Sequence, residues 1–322
     1  MMIHTPVLLK EVIEYLNPQP GDKIIDATLG GGGHAMALAE KVAPDGKVLG
    51  IEWDSDLAET AKRNIEISKY RNNIVIVNDS YANIKNIIRE YNFRPNGILF
   101  DLGLSSWHLG SSGRGFSFKR DEPLDMRYGL AGRGNPKSEI LNSKQIPNPK
   151  SENTKKTLTA AEIVNTYSKE GLEKIFREYG EEQFAEKIAG NIIHTRSRKP
   201  ILKTSDLVEI VSNSVPVWYK KRKIHFATKT FQALRIFVNS ELENVENGVS
   251  AAIDMLEGGG RLVVISFQGL EDKIVRELFK KKVKEGVVAF VVKGTVKPAW
   301  EEIKSNPRAR SAKMKIVEKL IN

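Results

Sequence analysis

Ile24-Ile25-Asp26-Ala27-Thr28-Leu29-Gly30-Gly31-Gly32-Gly33-His34 passes from an apolar stretch through four consecutive glycines into residues that suit a helix. Glycine lacks a Cβ, so a turn built from it lets the backbone approach a ligand closely, and strand, glycine turn and helix in succession open a nucleotide-binding α/β unit. Outward from this stretch the period changes again and again. Apolar strands are expected at 23–27, 47–52, 73–78 and 97–101, separated by helices near 34–42, 55–67 and 82–91. Such alternation means a parallel sheet with helices on both faces. Ahead of it, Thr5 and Pro6 read as the N-cap and first position of a helix whose apolar face is Leu8, Val12, Tyr15 and Leu16.

After Asp101 the alternation stops for more than a hundred residues, and helical patterns near 159–197 and 204–214 indicate an inserted helical unit. Within it, 131–157 holds only four clearly apolar residues among 27, too few to join a core, and is expected to be a disordered loop. The α/β pattern resumes with one long helix over 228–256, a strand at 261–267, a helix near 270–285 and strands at 287–293 and 312–319, the end of the sheet including one antiparallel strand. The expected division is a discontinuous α/β domain of 1–108 and 217–322, interrupted by a helical domain of 109–216.

Composition narrows the chemistry. With no cysteine among 322 residues, disulfides, thiolate metal sites and cysteine nucleophiles are excluded. The five histidines include no pair at i, i+4, so no metal is expected. The longest apolar runs, such as Val287 to Val292, fall far short of the ~18 residues of a membrane span, and the first residues do not resemble an export signal, so the expected location is cytoplasmic, with no membrane partner. The net charge of +10 is unevenly placed: 194–235 carries ten basic residues against two acidic, and 297–322 carries seven against three. That clustering suggests a polyanion footprint, and Trp218, Tyr219 and Phe226 within it offer faces for unpaired bases.

Nineteen residues after Gly33 stands Glu52, at the end of the second strand, where a carboxylate can accept both hydroxyls of a ribose. Glycines and Glu52 together imply a nucleoside cofactor. Gly30, Gly32 and Ala35 also satisfy a dinucleotide fingerprint, so a nicotinamide-dependent oxidoreductase remains an alternative, as does a non-catalytic RNA-binding protein. Asp26 argues for S-adenosylmethionine: a carboxylate there is awkward beside a pyrophosphate but suits the amine of a methionine moiety. Asp101, at the end of the fourth strand and ahead of Leu102-Gly103-Leu104-Ser105-Ser106, can accept from a cofactor amine or a substrate amino group. The segments Arg114-Gly115-Phe116-Ser117-Phe118 and Pro123-Leu124-Asp125-Met126-Arg127 read either as an ordered lid or as ordinary loop packing.

The stretches HTPVLLKEV (4–12), DATLGGGGH (26–34), DLGLSS (101–106), RGFSF, PLDMR, TAAEIVNTY (159–167), TFQALRIFVNSEL (230–242), GGRLVVISF (259–267) and NPRARSAKMK (306–315) give the chain a marked likeness. It resembles the bacterial small-subunit ribosomal RNA methyltransferase H family, also called MraW, over nearly its whole length except 131–157. The resemblance implies a class I, Rossmann-like, S-adenosylmethionine-dependent methyltransferase sheet with an inserted all-helical domain. It further implies methylation of the N4 amine of a decoding-region cytidine in 16S rRNA, on the assembled small ribosomal subunit. Carried over by position, the cofactor contacts fall on Gly32, Gly33, His34, Glu52, Tyr81, Asp101 and His108, and Asp101 is also the candidate catalytic acceptor. Glu52 stands where the family usually has Asp, Tyr81 where it has Phe, His108 where it has Gln, and Gln268 where it has His. The lack of cysteine agrees with attack at an amine, since methylation at cytosine C5 ordinarily proceeds through a thiolate adduct.

Overall fold

In the computed structural model the described residues are 6–129 and 158–321. The chain begins with α1 (Leu9–Leu16), β1 (Lys23–Asp26), α2 (Gly33–Val42), β2 (Lys47–Ile51), α3 (Ser55–Glu66), β3 (Ile74–Val77), α4 (Ile84–Glu90) and β4 (Gly97–Asp101). Helices follow: α5 (Ser106–Gly110), α6 (Ala160–Thr166), α7 (Lys169–Gly180), α8 (Ala185–Arg196), α9 (Thr204–Ser214), α10 (Val217–Lys220) and α11 (Thr228–Val238). It ends with α12 (Glu241–Met255), β5 (Arg261–Ser266), α13 (Gly269–Lys284), β6 (Val288–Phe290), α14 (Trp300–Ser305) and β7 (Lys313–Lys319). The expected loop of 131–157 and the expected cap Thr5 lie outside the described residues.

Two compact units are present, one of Met1–Ser105 with Leu242–Asn322, the other of Ser106–Glu241. The helical unit thus begins at 106 rather than 109 and runs past the expected limit at 216 to take in α10 and α11. The reason is packing: α11 lies along α7 and also touches α6, so its apolar face belongs to the helices before it.

In the first unit the described strands form one seven-stranded sheet ordered β3-β2-β1-β4-β5-β7-β6. All neighbouring pairs are parallel except those made by β7, which runs antiparallel to both β5 and β6. Successive strand residues point to opposite faces, and both faces of the inner strands β1, β2, β4 and β5 are covered, which is why their interiors read as apolar runs. Ile25, Leu49, Ile98, Phe100, Leu262 and Val264 pack against residues of α4, α12 and α13, among them Ile84, Ile88, Val249, Ile253 and Phe279. Ile24, Val48, Leu99, Val263 and Ile265 pack on the other face, against residues of α1, α2 and α3 such as Val12, Leu38 and Ile65. The strand order turns outward in both directions from β1 and β4, and a crevice forms beyond the carboxyl ends of strands at such a switch point.

Three local expectations change. Helix α1 starts at Leu9, not Pro6, because Leu8 takes a left-handed conformation (φ 55°) and its N–H donates to Glu302 Oε1 at 2.8 Å, so a distant carboxylate replaces a local cap. The strand expected over 287–293 is only Val288–Phe290. The single helix expected over 228–256 is two, broken at Asn239 and Ser240, where Ser240 has φ 48°.

The break is specified by Asn239. Its side-chain amide donates to Met126 O (2.7 Å) and Arg235 O (2.9 Å), and its Oδ1 accepts from Tyr128 N (2.9 Å). Nearby, Arg235 forms a two-bond pair with Glu241, which also accepts from the Tyr128 hydroxyl. The loop 114–128 is therefore built into the helical unit: Arg114, Phe116, Leu124 and Met126 are buried, which is ordinary packing for both segments that could have read as a lid. Asn239→Ala should strand Tyr128 N–H and Met126 O and lower stability by about 2–4 kcal/mol. Urea unfolding would measure the loss, and hydrogen exchange should show the Tyr128 amide losing protection first.

Candidate active site

The loop after β1 is held from two sides. Ala27 N donates to Leu99 O and Leu29 N to Ile51 O, which ties the loop to the ends of β4 and β2. Gly32 then caps α2 with φ 87°, a conformation a side chain resists, and an added Cβ there would approach Ile65 Cδ1 at 3.2 Å. Gly33 is the first residue of α2 and His34 the second, so the glycine run delivers a helix N-terminus to the crevice.

Glu52 follows β2 and is partly exposed. Its Oε2 accepts from Gly30 N and its Oε1 from Asp54 N, both at 2.9 Å. Each oxygen keeps a further lone pair for a hydroxyl. Burial pushes its carboxyl up to about 8, with the charges of Asp54 and Asp26 adding to the shift and the two N–H groups opposing it; the open edge of the side chain moderates that shift. Asp26, at the end of β1, is fully buried, and Thr28 N donates to its Oδ1 at 3.2 Å. Burial raises it to about 7 against backbone bonds from Thr28 and Ala35.

Asp101 ends β4. Its N–H donates to Thr28 Oγ1 (2.6 Å), and its Oδ2 lies 3.7 Å from Nδ1 of buried His34, whose Nε2 donates to Val7 O at 3.0 Å. Burial first, and then the charges of Asp26 and Glu271, raise the Asp101 carboxyl well above the ordinary range. Two buried oxygens of this cluster, Asp26 Oδ2 and Asp101 Oδ1, have no hydrogen-bond partner among the described residues. Buried acceptors without partners point to a ligand that carries N–H donors or positive charge.

Tyr81 opens the 3-10 turn Tyr81–Asn83 after β3, with its ring edge-on to Phe100 at 5.5 Å. The sheet unit thus brings together Gly32, Gly33, His34, Glu52, Tyr81 and Asp101. His108 belongs to the helical unit, where it is buried among Trp107, Phe116 and Tyr128.

Several supports escaped sequence reading. Thr28 and Asp54 fix backbone at the crevice, and Asp54 caps α3 by accepting from Asp56 N and Leu57 N. Asn78 donates to Glu52 O at 2.7 Å. Gly248 on α12 leaves room for Tyr81, whose Cδ2 would sit 2.8 Å from a Cβ placed there. Gln268 is the N-cap of α13 and donates to Glu271 Oε1 at 2.7 Å, a structural task. Thr28 and Asp54 carried a signal, as small polar residues just past strand ends; Gly248 in mid-helix carried none without its partner.

The basic stretches also resolve. Lys315 and Lys313 pair with Asp272, Lys319 donates to Ile253 O and Asp254 O, and Lys203 pairs with Asp121. Among the described residues no side-chain hydrogen bond or ion pair holds Lys220, Lys221 or Lys223, all exposed. Tyr219 offers no face for a base: it is 4% exposed, its hydroxyl donates to Glu182, and the Arg222 guanidinium lies over its ring. No helix among the described residues is long and apolar enough to cross a membrane, and no group of three or more His, Asp or Glu there is arranged to hold a metal ion.

A Rossmann-like sheet with its reversed strand next to the edge, and carboxylates at the ends of β1, β2 and β4, defines the class I methyltransferase framework. The chain belongs to the MraW methylase family, whose model matches residues 1–147 and 152–320. It is 42% identical over 322 residues to the ribosomal RNA small subunit methyltransferase H of Dictyoglomus thermophilum, covering 99% of this chain and 98% of that protein. It is 41% identical over 319 residues to the protein of the same name from Thermosipho melanesiensis, covering 98% of each.

The carboxylate cluster has a consequence for stability. A carboxyl whose pKa is raised in the folded state keeps its proton where the unfolded chain has lost it, so stability falls as pH rises from the unfolded pKa to the folded one and is level above. For Asp26 that window is about pH 4 to 7. An amide does not titrate, so Asp26→Asn should gain on the parent by on the order of 2–4 kcal/mol between pH 4.5 and 7.5. Urea unfolding of both proteins across that range would test it; a difference independent of pH would mean Asp26 is ionised in the folded protein.

Proposed function

We propose that this protein transfers a methyl group from S-adenosylmethionine to the N4 amine of a decoding-region cytidine in 16S rRNA, acting on the assembled small subunit. The reading is carried by the buried, partly unpartnered carboxylates at the carboxyl ends of adjacent strands, in a chain of the MraW methylase family. The names of its relatives, ribosomal RNA small subunit methyltransferase H, support the substrate.

In this reading Glu52 would hold the ribose hydroxyls, the methionine amine would be drawn toward Asp26, and Tyr81 and the Gly32 turn would bound the adenosine. His108 remains a proposed contact through the family pattern. The cofactor, when bound, supplies a methyl made electrophilic by its sulfonium. The protein's own work is then to orient the amine and exclude water, and such positioning can lower a barrier by roughly 7–11 kcal/mol. The ionised Asp101 carboxylate would accept an N–H of the cytidine amine, drawing electron density toward the nitrogen, and would take up the proton released on methylation. A dinucleotide crevice would use Glu52 but not the buried Asp26 beside a pyrophosphate, and RNA binding alone would not need the crevice.

Radiolabelled methyl from S-adenosylmethionine should appear in 16S rRNA of small subunits, and nucleoside digestion should place it on N4 of cytidine; label at C5, or none in RNA, would refute the reading. Glu52→Gln, which keeps size but replaces one accepting oxygen with an NH2 donor, should weaken cofactor binding about tenfold or more while the fold persists, as read by calorimetric titration.

The four residues Lys220, Lys221, Arg222 and Lys223 are proposed to meet RNA phosphates. Changing all four to Ala should flatten the slope of log K against log salt by about 0.7 for each single-strand phosphate the variant no longer neutralises, and leave cofactor affinity alone. Equal slopes for variant and parent would make the cluster a solvated surface.

A further inference from the structure

Within the helical unit a groove of about 400 Å³ opens between the segment Phe118 to Asp121 and one side of α9, with Phe226 at its edge. Three rings from two separate segments stack beside it. The Phe118 and His225 rings lie 4.3 Å apart at 10°, and His225 and Phe226 lie 4.2 Å apart at 29°. Phe118 is anchored edge-on against buried Phe231, whereas His225 is exposed and adds little to the core. The His225 ring is nevertheless fixed, because its Nδ1 accepts from Ala227 N at 3.3 Å.

We propose that this groove is a stacking subsite for the bases of a single-stranded RNA segment, in addition to the crevice at the sheet. The proposal rests on the reading of RNA as substrate and assigns part of its recognition to residues outside the family's cofactor positions. Charge and shape argue for this occupant. Lys119 and Arg120 are exposed on the groove wall, and Lys221 and Lys223 precede the stack by a few residues. The Phe226 face turned away from His225, at the edge of the groove and bordered by cations, offers a platform for a base, and such stacking tolerates any base, with His225 and Phe118 holding Phe226 from behind. Glu209, also in the wall, offers an acceptor to an exocyclic amine. The carboxylate of Asp121 is already matched by Lys203 and Ser205, so it does not repel a phosphate as a free charge would. Burial and the charge of Lys119 hold His225 below the usual histidine range, so at neutral pH it stacks as a neutral imidazole. An acidic polypeptide would use the cations but gain nothing from the ring faces.

Fluorescence anisotropy of the full chain with unstructured 12-nucleotide oligocytidylate and oligouridylate tests the idea. His225→Ala and, separately, Phe226→Leu should each weaken binding roughly 5- to 100-fold with little change in salt slope, while Lys221→Ala lowers the slope. Two variants guard against misfolding, which circular dichroism would reveal. Unchanged affinity in both folded variants overturns the subsite, and so does polyglutamate competing as well as RNA. If the parent methylates RNA but the variants bind it normally, this inference alone fails. If binding depends on the stack but no methyl reaches RNA, the stacking subsite stands and the proposed reaction fails.

Discussion

The bond from Gly30 N–H to the Glu52 carboxylate joins the turn after β1 to the end of β2, and the crevice depends on it. Carboxylates at neighbouring strand ends repel one another and lose hydration together, so they need backbone N–H groups to hold them in place. Gly30, Thr28, Ala35 and Asp54 supply those donors. Glycines in the turn serve the same end, since only a backbone free to take φ 87° at Gly32 can bend back toward Glu52 and still start α2.

In the proposed function these carboxylates would let one crevice accept a positively charged group without a permanent countercharge. Protons held by Asp26 and Glu52 near neutrality lower the repulsion while no cation is near. A cation placed beside Asp26 would favour release of its proton, so in the proposed function cofactor binding would be coupled to proton loss.

Much of the sheet unit was legible because burial on both faces leaves few polar positions inside β1, β2, β4 and β5. Ile24 and Ile25 go to opposite cores, yet both are apolar, and the run stands out from the amphipathic helices around it. The candidate residues on the strand ends stand out for the complementary reason: Asp26, Glu52 and Asp101 interrupt such runs where a carboxylate has no place in a core. Tertiary partners were not legible. Asn239 breaks a helix because Met126 and Tyr128, more than a hundred residues earlier, use its side chain. Tyr219 looks like a free ring until Glu182 and Arg222 claim it. The extent of the helical unit depends on α11 packing along α7, which local periodicity does not encode.

The antiparallel strand β7 has a consequence for the order in which the molecule can form. It lies between β5 and β6 in space, yet it follows both of them in the chain and leaves the ribosome after them. Until it emerges, β5 has an open edge and β6 has no partner in the sheet, so the Rossmann-like unit cannot close. The helical unit, one continuous stretch of chain, has been synthesised well before then. Its assembly can precede that of the sheet, and the sheet that frames the crevice is completed only after β7 joins it.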